Sequence, residues 1–168
     1  AAEETVDAIF KKALNGEKIS AWYNIFREIE RLLLGISLTR EATPRLKARL
    51  IYLAQKLTSH LGYEYLKSHF SNKKVYLLEA TSALHTTSVA DQQSNQEYLE
   101  ASFATLQADL NLQNELSEYD IVITQGGVAA NSQNEPVLLG RDGSDVRAAA
   151  LGLKLQAEKV DFWSNLPG

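Results

Sequence analysis

From residue 74 onward, short apolar runs alternate with helical stretches. That alternation restricts the fold more than any other feature of the sequence. KVYLLEA (74–80), YDIVITQGG (119–127) and KVDFWS (159–164) are rich in strand-forming residues. Between them, residues 95–112 space Leu99, Phe103, Leu106 and Leu110 by three and four, and a run of alanines and leucines extends from about Ser144 to Leu155. Both are helical patterns. Strands alternating with helices imply an α/β chain whose mostly parallel sheet is covered by helices. VAANSQNEPVLL reads as a β-hairpin turning at Asn131–Asn134, with Pro136 at the start of the returning arm, where an edge strand tolerates it. TSALHTTSVADQQSN reads as loop, and Trp163 is expected in the core of the third strand.

The first part of the chain, 1–72, is helical in pattern. Residues 2–14 form one candidate helix. A second opens near Ser20, carries Trp22, Ile25, Phe26, Ile29, Leu32 and Leu33 on one side, and is expected to stop at Gly35. Thr43 as N-cap and Pro44 at the first helical position open a third, whose leucines 46, 50, 53, 57 and 61 mark a buried face up to an expected break at Gly62. The helical segment 1–72 and the α/β segment 73–168 are read together as one domain, because 168 residues suffice for a single core.

Composition removes several functions. A net charge of −4 disfavours general nucleic-acid binding. No apolar run approaches the ~18 residues of a membrane span, and the acidic, amphipathic first residues suit neither a secretory signal nor a transit peptide. The absence of cysteine excludes disulfides and thiolate chemistry and fits a cytoplasmic protein. His60, His69 and His85 have no converging carboxylates in the sequence, so no metal site is expected. There is no methionine, even at position 1, and the chain is expected to be processed or part of a longer one.

The densest chemistry lies in LLGRDGSDVRAAALG, residues 138–152. In parallel α/β sheets ligands collect at the carboxyl ends of strands, near helix N-termini. Gly143 and Ser144 open a helix whose free amides and dipole favour an anion. Arg141 adds a fork suited to a carboxylate or phosphate. Asp145 falls in the first turn, and Gly126 and Gly127 end the ITQGG strand nearby. The bland alternative is an ordinary loop and N-cap, since Gly, Ser and Asp are the usual residues of such turns.

ITQGGVAANSQNEPVLLGRDGSDVRAAALGLKLQAEKVDFWSNLPG resembles the central part of aspartate kinases, members of the amino-acid kinase superfamily. Their pattern there runs from a strand into GF, through a hairpin and LGRGGSD, to a helix and IWSDVPG. The helical stretch around Ala54-Gln55 is similar to the region of their GE motif. The resemblance implies part of a carbamate kinase-like α/β domain. It also implies a reaction, transfer of the γ-phosphoryl of ATP, with magnesium, to the β-carboxylate of L-aspartate. That is the first step towards lysine, threonine and methionine. Carried over by motif, Arg141, Gly143, Ser144, Gly126, Gly127 and Gln55 meet the amino acid. Asp145 sits at the reacting centre, and Ser164 and Asn165 face the nucleotide. A homo-oligomeric cytoplasmic parent enzyme is implied, with the 168 residues alone inactive and weak in ATP binding. Gln55 and Asn165 replace family acids, Gly127 replaces an aromatic, and no KFGGTS-like loop occurs in residues 1–73. The kinase reading stands first, and these departures keep open the alternative of a diverged, non-catalytic binding or interaction module.

Overall fold

The computed structural model describes residues 20–87, 94–103 and 105–163. Helix α1 spans Ser20–Thr39 and buries Trp22 and Ile25. It runs straight through Gly35, beside which nothing lies within 4 Å, and ends where Arg40 turns left-handed at φ 57°. The expected stop at Gly35 is therefore wrong: an exposed helical glycine costs about 1 kcal/mol relative to alanine, too little to end a helix that packing holds. The candidate helix at 2–14 lies outside the described residues.

Helix α2 spans Pro44–His69. As expected, Thr43 caps it: its Oγ1 accepts from the Leu46 amide at 3.3 Å, and proline occupies the first helical position. The break expected at Gly62 does not occur. A Cβ there would lie 2.5 Å from Ile123 Cδ1, so Gly62 is where α2 approaches the sheet closely. Leu53, Ala48 and Ser59 are buried on α2, while the other leucines of its stripe are half-buried. An ion pair from Arg49 of α2 to Glu28 of α1 ties the two helices on their exposed side.

Strands β1, Val75–Leu78, and β2, Ile121–Thr124, pair in parallel with Val75 opposite Ile121 and Leu78 opposite Thr124. The short helix α3, Ala80–Ala83, comes directly after β1. The expected hairpin forms from β3, Val128–Ala130, and β4, Pro136–Leu138. Its turn is built on Asn131, whose Oδ1 accepts from the amides of Gln133 and Glu135. Single bridges extend this second sheet on both sides, His85 to Ala130 and Glu100 to Leu139.

The helix expected over 95–112 is instead two: α4, Ser94–Leu99, and α5, Leu110–Leu116. The Ala101 amide bonds the Leu138 carbonyl at 2.8 Å, so sheet pairing claims the middle of that stretch, and Asp109 caps the restart. Helix α6 spans Gly143–Leu155, as expected. The third strand is a further correction: residues 159–163 are irregular and exposed, Trp163 at 95%. Of this segment, Val160 lies against Gly152 of α6.

Two apolar clusters hold the layers together. One joins Leu84, Ala129, Val137, Leu139 and Ala150; the other joins Leu78, Ala83, Leu112 and Leu116. Leu151 of α6 touches both. The architecture is α/β, with one parallel strand pair, one antiparallel hairpin and helices packed around them. Among the described residues no helix is long and apolar enough to cross a membrane.

Candidate functional site

The carboxyl ends of β1 and β2 lie side by side, so the start of α3 and the Gln125–Gly127 turn are brought together. Gln125, 2% exposed, locks the junction: its Oε1 accepts from the Ala80 amide at 2.6 Å and its Nε2 donates to Ser59 Oγ at 2.9 Å. One buried side chain thus joins the end of β2, the start of α3 and the middle of α2.

The next two residues are Gly126 and Gly127. At Gly127 a Cβ would lie 2.8 Å from the Gly143 carbonyl carbon and 3.0 Å from the Ser144 nitrogen. Two backbones meet there with no room for a side chain. A Cβ on Gly126 would lie 3.5 Å from Gln55 Oε1 and 3.6 Å from Ser144 Cβ. The fold therefore brings Gln55, Gly126, Gly127, Gly143 and Ser144 into one place from three separate segments.

The start of α6 has no side-chain cap, and Ser144 in its first turn is exposed while Gly143 is buried. Asp142, at φ 55°, holds the N-cap position without a side-chain bond to the helix, and its carbonyl takes the amides of Asp145 and Val146. The amides of Gly143 and Ser144 have no acceptor among the described residues. Arg141 and Asp145 are exposed and make no ion pair or side-chain hydrogen bond among those residues. Gln55 Oε1 is buried and lacks a donor there. Ser164 and Asn165 lie outside the described residues.

Two features carry no clear mark in the local sequence pattern. Lys56 pairs with Glu79 at 2.6 Å, and Tyr52 donates to the same carboxylate at 3.1 Å. Burial opposes the charge on Lys56, but its bonds to Glu79 and Tyr52 outweigh that and hold its pKa above the usual lysine value. Burial, assisted by the Lys56 charge, pushes His60 below the usual histidine value. The second feature is Arg147, 1% exposed. It donates to the Val128 carbonyl and, at 2.7 Å, to Thr124 Oγ1. Only its spacing gives a hint: Gly143, Arg147 and Ala150 lie four and three apart, on the buried face of α6.

No three His, Asp or Glu side chains converge among the described residues. A separate cavity of about 650 Å³, lined by Leu84, His85, Leu106, Asp109 and Lys154, includes neither the glycine turn nor the start of α6.

A glycine turn set against an uncapped helix start, at the carboxyl ends of parallel strands, is the arrangement at which α/β folds commonly receive ligands. No family model matches the chain. The lysine-sensitive aspartokinase 3 of Escherichia coli is 32% identical over 151 residues, covering 86% of this chain and 32% of that protein. A bifunctional aspartokinase/homoserine dehydrogenase of Buchnera aphidicola is 24% identical over 144 residues, 85% of this chain and 16% of that one. The crystal structure of E. coli aspartokinase III with aspartate and ADP superposes with a TM-score of 0.64 at 26% identity, over 86% of this chain and 32% of that one. Its lysine- and aspartate-bound T-state gives 0.62. The chain is homologous to the aspartokinases over most of its own length. It spans about a third of the length of the E. coli relative.

Proposed function

We propose that this chain is a segment of an aspartokinase and that its open site receives the amino-acid substrate. In the full reaction the γ-phosphoryl of ATP, with magnesium, passes to the β-carboxylate of L-aspartate. The observation that carries this reading is the pairing of opposite vacancies: the unfilled acceptor Gln55 Oε1 beside Gly126 and Ser144, and the unfilled donors at Gly143 and Ser144. An amino acid complements both, its ammonium meeting the acceptor and its carboxylate the amides. Arg141, exposed at the rim, supplies a bidentate partner for the second carboxylate. Gly126 and Gly127 let backbone approach the ligand, and Asp145 orients the reacting end. By the family motif, Ser164 and Asn165 are assigned to the nucleotide. Phosphoryl transfer is dominated by positioning and charge neutralisation, which this set of groups serves. A cytoplasmic homo-oligomer is the setting that accompanies the reading.

Gln55, neutral where the family resemblance has an acid, favours a second reading, a non-catalytic module that binds the amino acid without turning it over. The complete protein carrying this segment separates the two. Under the kinase reading, Arg141→Ala raises the KM for aspartate by roughly ten- to a hundredfold, the equivalent of one charge-assisted contact of about 1.5–3 kcal/mol. The KM for ATP stays within twofold or so. Equal effects on both substrates overturn the role of Arg141, and aspartate binding without acyl phosphate formation selects the second reading.

A further inference from the structure

Arg147 is a charge buried without a counter-charge. Its two acceptors, the Val128 carbonyl and Thr124 Oγ1, are neutral. Its Nε is buried with no partner among the described residues. The carboxylate whose field reaches it, Glu79, is already engaged by Lys56. Burial lowers the guanidinium pKa to about 10, which leaves it protonated at neutral pH. Desolvating an ion is among the largest costs a fold bears, and an uncharged donor would satisfy the same two acceptors.

The placement of those acceptors indicates what the arginine does. Thr124 is the last residue of β2 and Val128 the first of β3, so the two bonds clasp both shoulders of the Gln125–Gly127 turn. That turn sets Gly126 beside Gln55 and Ser144, and Gly127 against Gly143. We propose that Arg147 is the positioning residue of the site: it holds the glycine turn in its ligand-receiving geometry, and its unanswered charge beneath the turn selects an anionic ligand. The inference rests on the aspartate reading above for the identity of that ligand, and on the structure alone for the clasp.

The test uses the full 168-residue chain as wild type and as Thr124→Val, Arg147→Lys and Arg147→Met. Amide hydrogen exchange without ligand reports the clasp. In Thr124→Val, exchange at Gly126, Gly127 and Val128 accelerates about tenfold, the factor that one lost charge-assisted bond carries, while Leu53 in α2 is unchanged. Calorimetry with L-aspartate and L-asparagine reports the charge. Arg147→Met reduces the preference for aspartate over asparagine severalfold, leaving the share that Arg141 supplies, and Arg147→Lys retains most of it; a purely structural role weakens both ligands alike. Unchanged exchange at the turn in Thr124→Val, or an unchanged ligand ratio in Arg147→Met, overturns the proposal. If Arg147→Met does not fold, Thr124→Val and Arg147→Lys carry the test. If the wild-type chain binds neither amino acid, the aspartate reading falls, and exchange alone decides whether Arg147 positions the turn.

Discussion

Adding one methyl group at Gly127, and separately at Gly126, distinguishes the scaffold of the site from its working space. In Gly127→Ala the new Cβ meets backbone: 2.8 Å from the Gly143 carbonyl carbon, 3.0 Å from Gly143 Cα and 3.0 Å from the Ser144 nitrogen. No rotamer relieves that contact, so the turn and the start of α6 must separate. Overpacking of this kind costs about 1–3 kcal/mol. The shift also displaces the two open amides, and misplacement by ~1 Å is enough to cost a site on the order of a hundredfold. In Gly126→Ala the Cβ finds ordinary contacts of 3.5 and 3.6 Å to Gln55 Oε1 and Ser144 Cβ. Stability should then change by less than about 0.5 kcal/mol, while the methyl fills the space between the unfilled acceptor and the helix start. Urea denaturation measures the first quantity and calorimetric titration with aspartate the second. Gly127→Ala is expected to lose both stability and binding, and Gly126→Ala binding alone. Wild-type stability in Gly127→Ala would refute the close approach. Wild-type affinity in Gly126→Ala would refute the location of the site.

Packing and charge give two further expected outcomes. Gly35→Ala, in open space on α1, should stabilise the chain by about 0.5–1 kcal/mol, whereas Gly62→Ala, 2.5 Å from the terminal Cδ1 of Ile123, should gain less because that side chain must move aside; paired urea midpoints check the order. His60, held below its usual 6.5 by burial, binds a proton less readily folded than unfolded. Its contribution to stability is therefore present above about pH 6.5 and declines as pH falls below it, and His60→Gln should flatten that part of the stability–pH curve.

Local chemistry was legible where one residue type fixes one conformation. Thr43-Pro44 marked the start of α2, the Asn131–Asn134 turn marked the hairpin, and Gly143-Ser144 marked the start of α6. It misled where tertiary packing decides. Gly35 and Gly62 carry the same stop signal, yet one is tolerated in solvent and the other sits within the helix against Ile123. The apolar spacing of 95–112 suits a helix, but the Leu138 carbonyl claims the Ala101 amide and breaks it. KVDFWS has strand composition, yet its described residues are irregular and exposed, with only Val160 set against α6. For the site, the glycine pair and the helix start were readable in sequence. The clasp by Arg147 was not, because its acceptors lie 23 and 19 residues away, and no local pattern specifies them.

The central claim is that Gln55, the glycine turn and the start of α6 together receive an amino acid. A titration of the ¹⁵N-labelled chain with L-aspartate, read as amide shifts residue by residue, tests it most directly. The account predicts saturable shifts at Gly126, Gly127, Gly143 and Ser144 and at the Gln55 side-chain amide, with α1 unmoved. Saturable shifts confined to the cavity beside His85 and Lys154, or none at the glycine turn, would contradict it.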